Sequence, residues 1–72
     1  PKDTVIMGEV GLTGEVRRIN MIEKRLKEAE KMGFNRCIIP ENNKKYLEEK
    51  YKMDIVGVKD IREALRVLNI KG

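Results

Sequence analysis

Residues 8–18 read GEVGLTGEVRR, with glycines at positions 8, 11 and 14. Closely spaced glycines can bring backbone N–H groups onto a phosphate. A phosphate loop of the Walker kind, however, reads G-x-x-x-x-G-K-[ST] and leads into a helix. Here Gly14 is followed by Glu15 and a β-rich stretch, there is no Gly-Lys pair, and a glutamate repels phosphate. The stretch therefore predicts a turn, with Thr13-Gly14 supplying the positive φ of a tight hairpin. The second constellation is cationic: Arg17, Arg18, Lys24, Arg25, Lys27 and Lys31 crowd one segment. Such residues can track a phosphodiester backbone, giving salt-sensitive affinity without sequence preference. Glu23, Glu28 and Glu30 interleave with them, so a solvated face laced with ion pairs is the plain alternative. Contact with a neighbouring subunit is a third, since arginine is favoured at interfaces. Arg17 and Arg18 are the strongest candidates, having only Glu15 as a local acid.

Other chemistries are excluded or weak. The chain has no histidine and no serine, so Ser-His and Cys-His catalysis are absent from it and a zinc site is not expected. The single cysteine, Cys37, cannot form an internal disulfide, which fits a reducing cytoplasm. Inside RCIIP it reads as a small buried apolar residue. Phe34, Tyr46 and Tyr51 read as core rather than as base-stacking platforms, and the four methionines as gap-fillers. Glu48-Glu49 has no companion acids at ligand spacing, so no metal site is expected. A net charge of +4 permits nucleic-acid binding without demanding it. No apolar run approaches the roughly 18 residues of a membrane span, and no secretory signal is expected.

The elements that must position these residues follow from periodicity. Residues 4–10 (TVIMGEV) and 15–19 (EVRRI) read as two strands of a hairpin. Asn20 is a good N-cap, with Glu23 in capping-box register and able to pair with Lys27 at i, i+4. Ile22, Leu26, Ala29 and Gly33 fall on one helical face, and Gly33 can end the helix in a left-handed cap. RCII (36–39), closed by Pro40, reads as a buried strand. Glu41-Asn42-Asn43 begins a helix with Tyr46, Leu47 and Tyr51 on its apolar side. DIVGV (54–58) is a strand. Asp60 caps a last helix, with Glu63 in capping-box register and Ile61, Ala64, Leu65 and Leu68 facing inward. The order β-β-α-β-α-β-α predicts an α/β (α+β) fold: a mixed sheet with right-handed crossovers and helices packed on it. Seventy-two residues make one small domain with a thin core, and a start at Pro1 suggests a piece of a longer protein.

GEVGLTGEVRRI, a helix reading MIEKRLKEAEKMGF, and then RCIIPENN resemble the C-terminal part of the RadA (Sms) family of bacterial DNA repair proteins. The wider pattern also resembles the proteolytic domain of Lon. The resemblance implies that residues 1–72 are the C-terminal portion of a Lon-like (ribosomal protein S5 domain 2-like) domain. It further implies a parent protein that is a DNA-dependent ATPase processing recombination intermediates. That parent would form a hexameric ring in the cytoplasm and use ATP, Mg and Zn through segments outside this chain. The zinc-finger cysteines, the Walker motifs and the family's Lys-Asn-Arg-Phe-Gly motif are all absent here. Lon-type peptidases pair a serine with a desolvated lysine. The resemblance puts Glu23 at that lysine's position, and Lys24 one residue on is rotated by about 100°. The expectation is a non-catalytic module that associates with DNA and with its own copies, and in which Glu23 caps its helix. The alternatives are the C-terminal half of an active Lon-like Ser-Lys peptidase, or the Lon-like domain of an AAA+ chelatase-like competence protein.

Overall fold

The computed structural model describes residues 3–69. Its elements are β1 (Thr4–Ile6), β2 (Glu9–Val10), β3 (Val16–Arg17), α1 (Ile22–Lys31), β4 (Arg36–Pro40), α2 (Glu41–Lys44), β5 (Asp54–Val58) and α3 (Ile61–Val67). The α/β class holds, with parallel and antiparallel pairing both present. Strands β1, β4 and β5 form a parallel sheet in the order β1-β4-β5. The hairpin β2-β3 is a separate antiparallel pair, with Glu9 opposite Arg17 and Val10 opposite Val16.

The single strand expected over 4–10 is thus two strands. Met7 still donates its N–H to the Ile38 carbonyl at 2.9 Å, and the chain leaves the parallel sheet at Gly8. A Cβ there would lie 2.9 Å from Val16 Cγ1 and 3.4 Å from Pro40 Cγ, so a missing side chain lets the crossing occur. The hairpin docks on the far end of the sheet. Val16 N–H donates to the Lys59 carbonyl at 2.8 Å, and Ile61 N–H to the Gly14 carbonyl at 2.9 Å.

Central strand β4 is buried on both faces, which explains its uninterrupted apolar run. Side chains alternate across it. On one face Cys37 and Ile39 meet Leu26 and Ala29 of α1, with Met53 beside them and Phe34 and Tyr51 packed around. On the other, Ile38 and Val58 meet Ala64 of α3, closed over by Val16, Val67 and Leu68. Helix α3 is therefore turned relative to the expected face. Ala64, Val67 and Leu68 point inward, while Ile61 and Leu65 are about two-fifths exposed at 40% and 41%.

Helix ends show one further departure. Asp60 caps α3 as expected: its Oδ1 accepts from Glu63 N–H at 2.9 Å, and Glu63 accepts from Lys59 N–H at 2.8 Å. Helix α1 ends at Gly33 (φ 90°), where Gly33 N–H donates to Glu30 and Phe34 N–H to Ala29. That pair of hydrogen bonds is the Schellman arrangement. At its start, though, Met21 rather than Asn20 holds the cap position, with φ 58° and no side-chain hydrogen bond. The buried Asn43 decides this by gripping Ile19 through both its N–H (2.8 Å) and its carbonyl (3.0 Å). Helix α2 is only one turn long. Beyond it Leu47 and Tyr51 pack on the core, and Tyr46 is 72% exposed. Met21 and Met32 are also exposed, so only Met7 and Met53 fill the core among the methionines.

Candidate functional site

The glycine-rich stretch is a turn. Gly14 has φ 86°, its N–H donates to the Gly11 carbonyl at 3.1 Å, and Gly11 N–H donates to the Glu15 carbonyl at 2.8 Å. The Glu15 carboxylate folds back over Gly11, occupying the space a Cβ would need. It accepts from the Thr13 hydroxyl at 2.7 Å and the Thr13 N–H at 3.1 Å. These bonds, with the one from Arg17, hold the Glu15 carboxyl down at about 2. The tip is thus capped by its own anion, and the N–H groups of Gly11, Thr13 and Gly14 are spent.

Six cations were grouped by sequence, and the structure separates them. Arg17, on β3, pairs with Glu15 at 3.3 Å. Arg17 and Arg18 then face a concavity of about 350 Å³ between the hairpin, α2 and the end of β5. There they are joined by Lys45 and Lys59, with Glu41 as the further acid. Lys24, Lys27 and Lys31 instead line a stripe of α1 with Glu23 and Glu28. Lys27 is tied to Glu49 at 3.1 Å. Arg25 lies apart from both, beside Gly8 and Glu9. Lys45 and Lys59 escaped the sequence reading because each lies just past an element's end, far along the chain from Arg17. The only available signal was that both flank strong element boundaries.

Glu23 does not cap its helix. Its carboxylate accepts from the Tyr51 hydroxyl and from Glu48 N–H (3.3 Å). The Tyr51 bond leads in holding the Glu23 carboxyl below its ordinary value. Burial, and then Glu23 itself, pushes the Tyr51 phenol up. Lys52 N–H donates to Glu30 at 2.6 Å, so α1 carboxylates strap residues 48–52 across the helix. Cys37 is buried as expected, and desolvation raises its thiol to about 11. Among the described residues, no three His, Cys, Asp or Glu side chains are placed to hold a metal ion. No helix among them is long and apolar enough to cross a membrane.

A family model described as subunit ChlI of Mg-chelatase matches residues 1–43. The chain belongs to this ChlI family. Its similarity to RadA proteins is equally direct. The ChlI-family segment is 52% identical over 66 residues to the DNA repair protein RadA of Bacillus subtilis (strain 168), covering 92% of this chain and 14% of that protein. Against RadA of Aquifex aeolicus (strain VF5) it is 44% identical over 68 residues, covering 94% and 15%. Against RadA of Streptococcus pneumoniae (strain ATCC BAA-255 / R6) it is 42% identical over 60 residues, covering 83% and 14%. The resemblance to RadA drawn from GEVGLTGEVRRI and RCIIPENN stands. The ChlI-family segment spans about a seventh of the curated relatives it matches.

Proposed function

We propose that this segment is a non-catalytic oligomerisation and DNA-associating module of a RadA-type DNA-dependent ATPase. The parent protein acts in DNA repair and the processing of recombination intermediates, as a hexameric ring in the cytoplasm. The observation that carries this reading is the 52% identity to a RadA DNA repair protein across 92% of the chain. The concave grouping of Arg17, Arg18, Lys45 and Lys59 supports contact with a polyanion. Two features favour a module without peptidase chemistry. A lysine base must be desolvated to work at neutral pH, and Lys24 is exposed. Glu23, aligned with the lysine of Lon by resemblance, is engaged by Tyr51 and the Glu48 backbone. In the glycine turn the Glu15 carboxylate lies over Gly11 and is bonded to Thr13, which disfavours a phosphate there; ATP, Mg and Zn are implied for the parent protein by resemblance. They belong, in this reading, to sequence outside the segment.

Charge reversal of Arg17 and Arg18 in the intact protein tests the proposal. Loss of DNA affinity with the ring intact supports DNA contact, and loss of the ring assigns the same residues to the subunit interface. Unchanged DNA binding and assembly would refute both. Peptide cleavage abolished by Glu23→Ala would restore the peptidase alternative. A second reading, the Lon-like domain of an AAA+ chelatase-like competence protein, is favoured by the ChlI match over residues 1–43. An AAA+ module upstream, rather than a zinc segment and a RecA-like ATPase, would select it.

A further inference from the structure

Residues 48–52 cross helix α1 without belonging to any regular element. Among the described residues, no backbone group of this stretch is bonded to another backbone group. Side chains of α1 hold it instead. The Glu23 carboxylate accepts from the Tyr51 hydroxyl and from Glu48 N–H at 3.3 Å, and the Glu30 carboxylate accepts from Lys52 N–H at 2.6 Å. Glu23 and Glu30 stand two turns apart on one face of the helix. We infer that residues 48–52 are a latched strap, which opens and closes over α1 as a unit while the sheet stays folded, with Glu23 and Glu30 as its catches. The device is independent of the cationic hollow and of any DNA contact.

Both flanks of the strap are anchored by backbone bonds. Upstream, Lys45, Tyr46 and Leu47 donate to the carbonyls of Glu41, Asn43 and Lys44. Downstream, Asp54 N–H donates to the Asn35 carbonyl at 2.9 Å, and β5 runs beside β4 from there. Opening the span between them breaks no bond of the sheet. A segment held this way opens at far lower cost than the whole fold. The catches themselves are of the stronger sort, because the acceptor is charged. The third tie, from Lys27 Nζ to Glu49 at 3.1 Å, is exposed on both sides and contributes little.

Tyr51 joins the two kinds of hold. Its ring packs, half-buried, against the cluster of Leu26, Ala29, Cys37, Ile39 and Met53. Its hydroxyl donates to Glu23, and the Glu49 carboxylate lies 3.3 Å from the same oxygen. A hydroxyl has one proton to give. The closed strap therefore gathers two carboxylates about a single proton, and opening separates them. Apolar packing and the catches favour closure, while this crowding and the freedom of the released backbone favour opening. The balance is local: Cys37, Ile38 and Ile39 lie in β4, whose pairing with β1 and β5 does not involve the strap.

Hydrogen–deuterium exchange of the intact protein, read by mass spectrometry on peptides from the strap, β4 and β5, tests the inference. The strap peptide is expected to exchange well before the two strand peptides. Glu23→Gln and Glu30→Gln together raise its exchange rate about tenfold and leave both strands unchanged. Tyr51→Phe keeps the ring and loses the donor. It matches Glu23→Gln alone, and combining the two adds little, because both remove the same bond. Tetranitromethane gives a second reading, with Tyr46, 72% exposed, as internal reference. Nitration of Tyr51 relative to Tyr46 rises in Glu23→Gln. Exchange that quickens equally in strap and strands overturns the inference, because the opening is then global. Strap exchange unmoved by the catch substitutions and by Tyr51→Phe overturns it as well.

Discussion

The Glu15 carboxylate accepts from both the amide and the hydroxyl of Thr13 and lies over Gly11, so the hairpin tip carries its own counter-anion. The consequence for pH follows from its depressed pKa of about 2, against an ordinary 4.5. A carboxyl held low in the folded state stabilises it above the ordinary value and loses that contribution as pH falls toward the folded one. Thermal unfolding followed by circular dichroism is expected to show Tm falling between about pH 4.5 and pH 2. Glu15→Gln flattens that limb, and the gap between variant and parent closes toward pH 2. Added salt narrows the gap as well, because the group is solvent-facing. Glu23 teaches the opposite lesson about legibility. Its capping-box register was visible, but its real partner, Tyr51, lies 28 residues away. Nothing local in the sequence signals a bond of that span.

At the scale of elements, the two ends of α1 contrast. The Gly33 terminus was readable because a left-handed residue after an apolar periodicity has few alternatives to glycine. A Cβ at Gly33 would meet nothing within 4 Å, so its φ of 90° alone sets the cost of substitution. Gly33→Ala is expected to destabilise the fold by about 1 kcal/mol, lowering Tm by roughly 4–8 °C in urea-free thermal melts. A Tm unchanged by the substitution would show that the cap is not held in the left-handed region. The start of α1 was misread because Asn43, from another element, sets the approach of the chain. The turned face of α3 has a similar origin: i, i+3, i+4 spacing admits either 61/64/65/68 or 64/67/68, and packing against Ile38 and Val58 selects the second. The division of the first strand at Gly8 likewise depends on Val16 and Pro40 lying close by.

Across the whole molecule, a three-stranded sheet covered by one helix on each face makes a thin core with open borders. Strand β1 pairs with β4 on one side and has no strand on the other among the described residues. Ile6 on this strand is 50% exposed, and Val10 and Leu12 in the hairpin are 55% and 105% exposed. An uncovered strand edge beside apolar side chains promotes association. The isolated chain is therefore expected to sediment as concentration-dependent oligomers in analytical ultracentrifugation. Ile6→Lys, placing a charge at the open edge, shifts it toward monomer. A strict monomer at high concentration would exclude association through this border.

Composition and periodicity alone were enough for the α/β class, the buried central strand RCIIP, the Asp60 cap and the Gly33 stop, because each follows from local backbone preference or from an apolar run. They were also enough to reject a phosphate loop at Gly8, Gly11 and Gly14. The resemblance to RadA was likewise carried by quoted residues and needed no coordinates. Tertiary structure alone decided which cations share a surface. It split Arg17 and Arg18 from the lysines of α1, and it brought in Lys45 and Lys59 from distant segments. The physical reason is range: caps and periodic faces are written within a few residues, whereas a groove is made by chain crossings that no local pattern records.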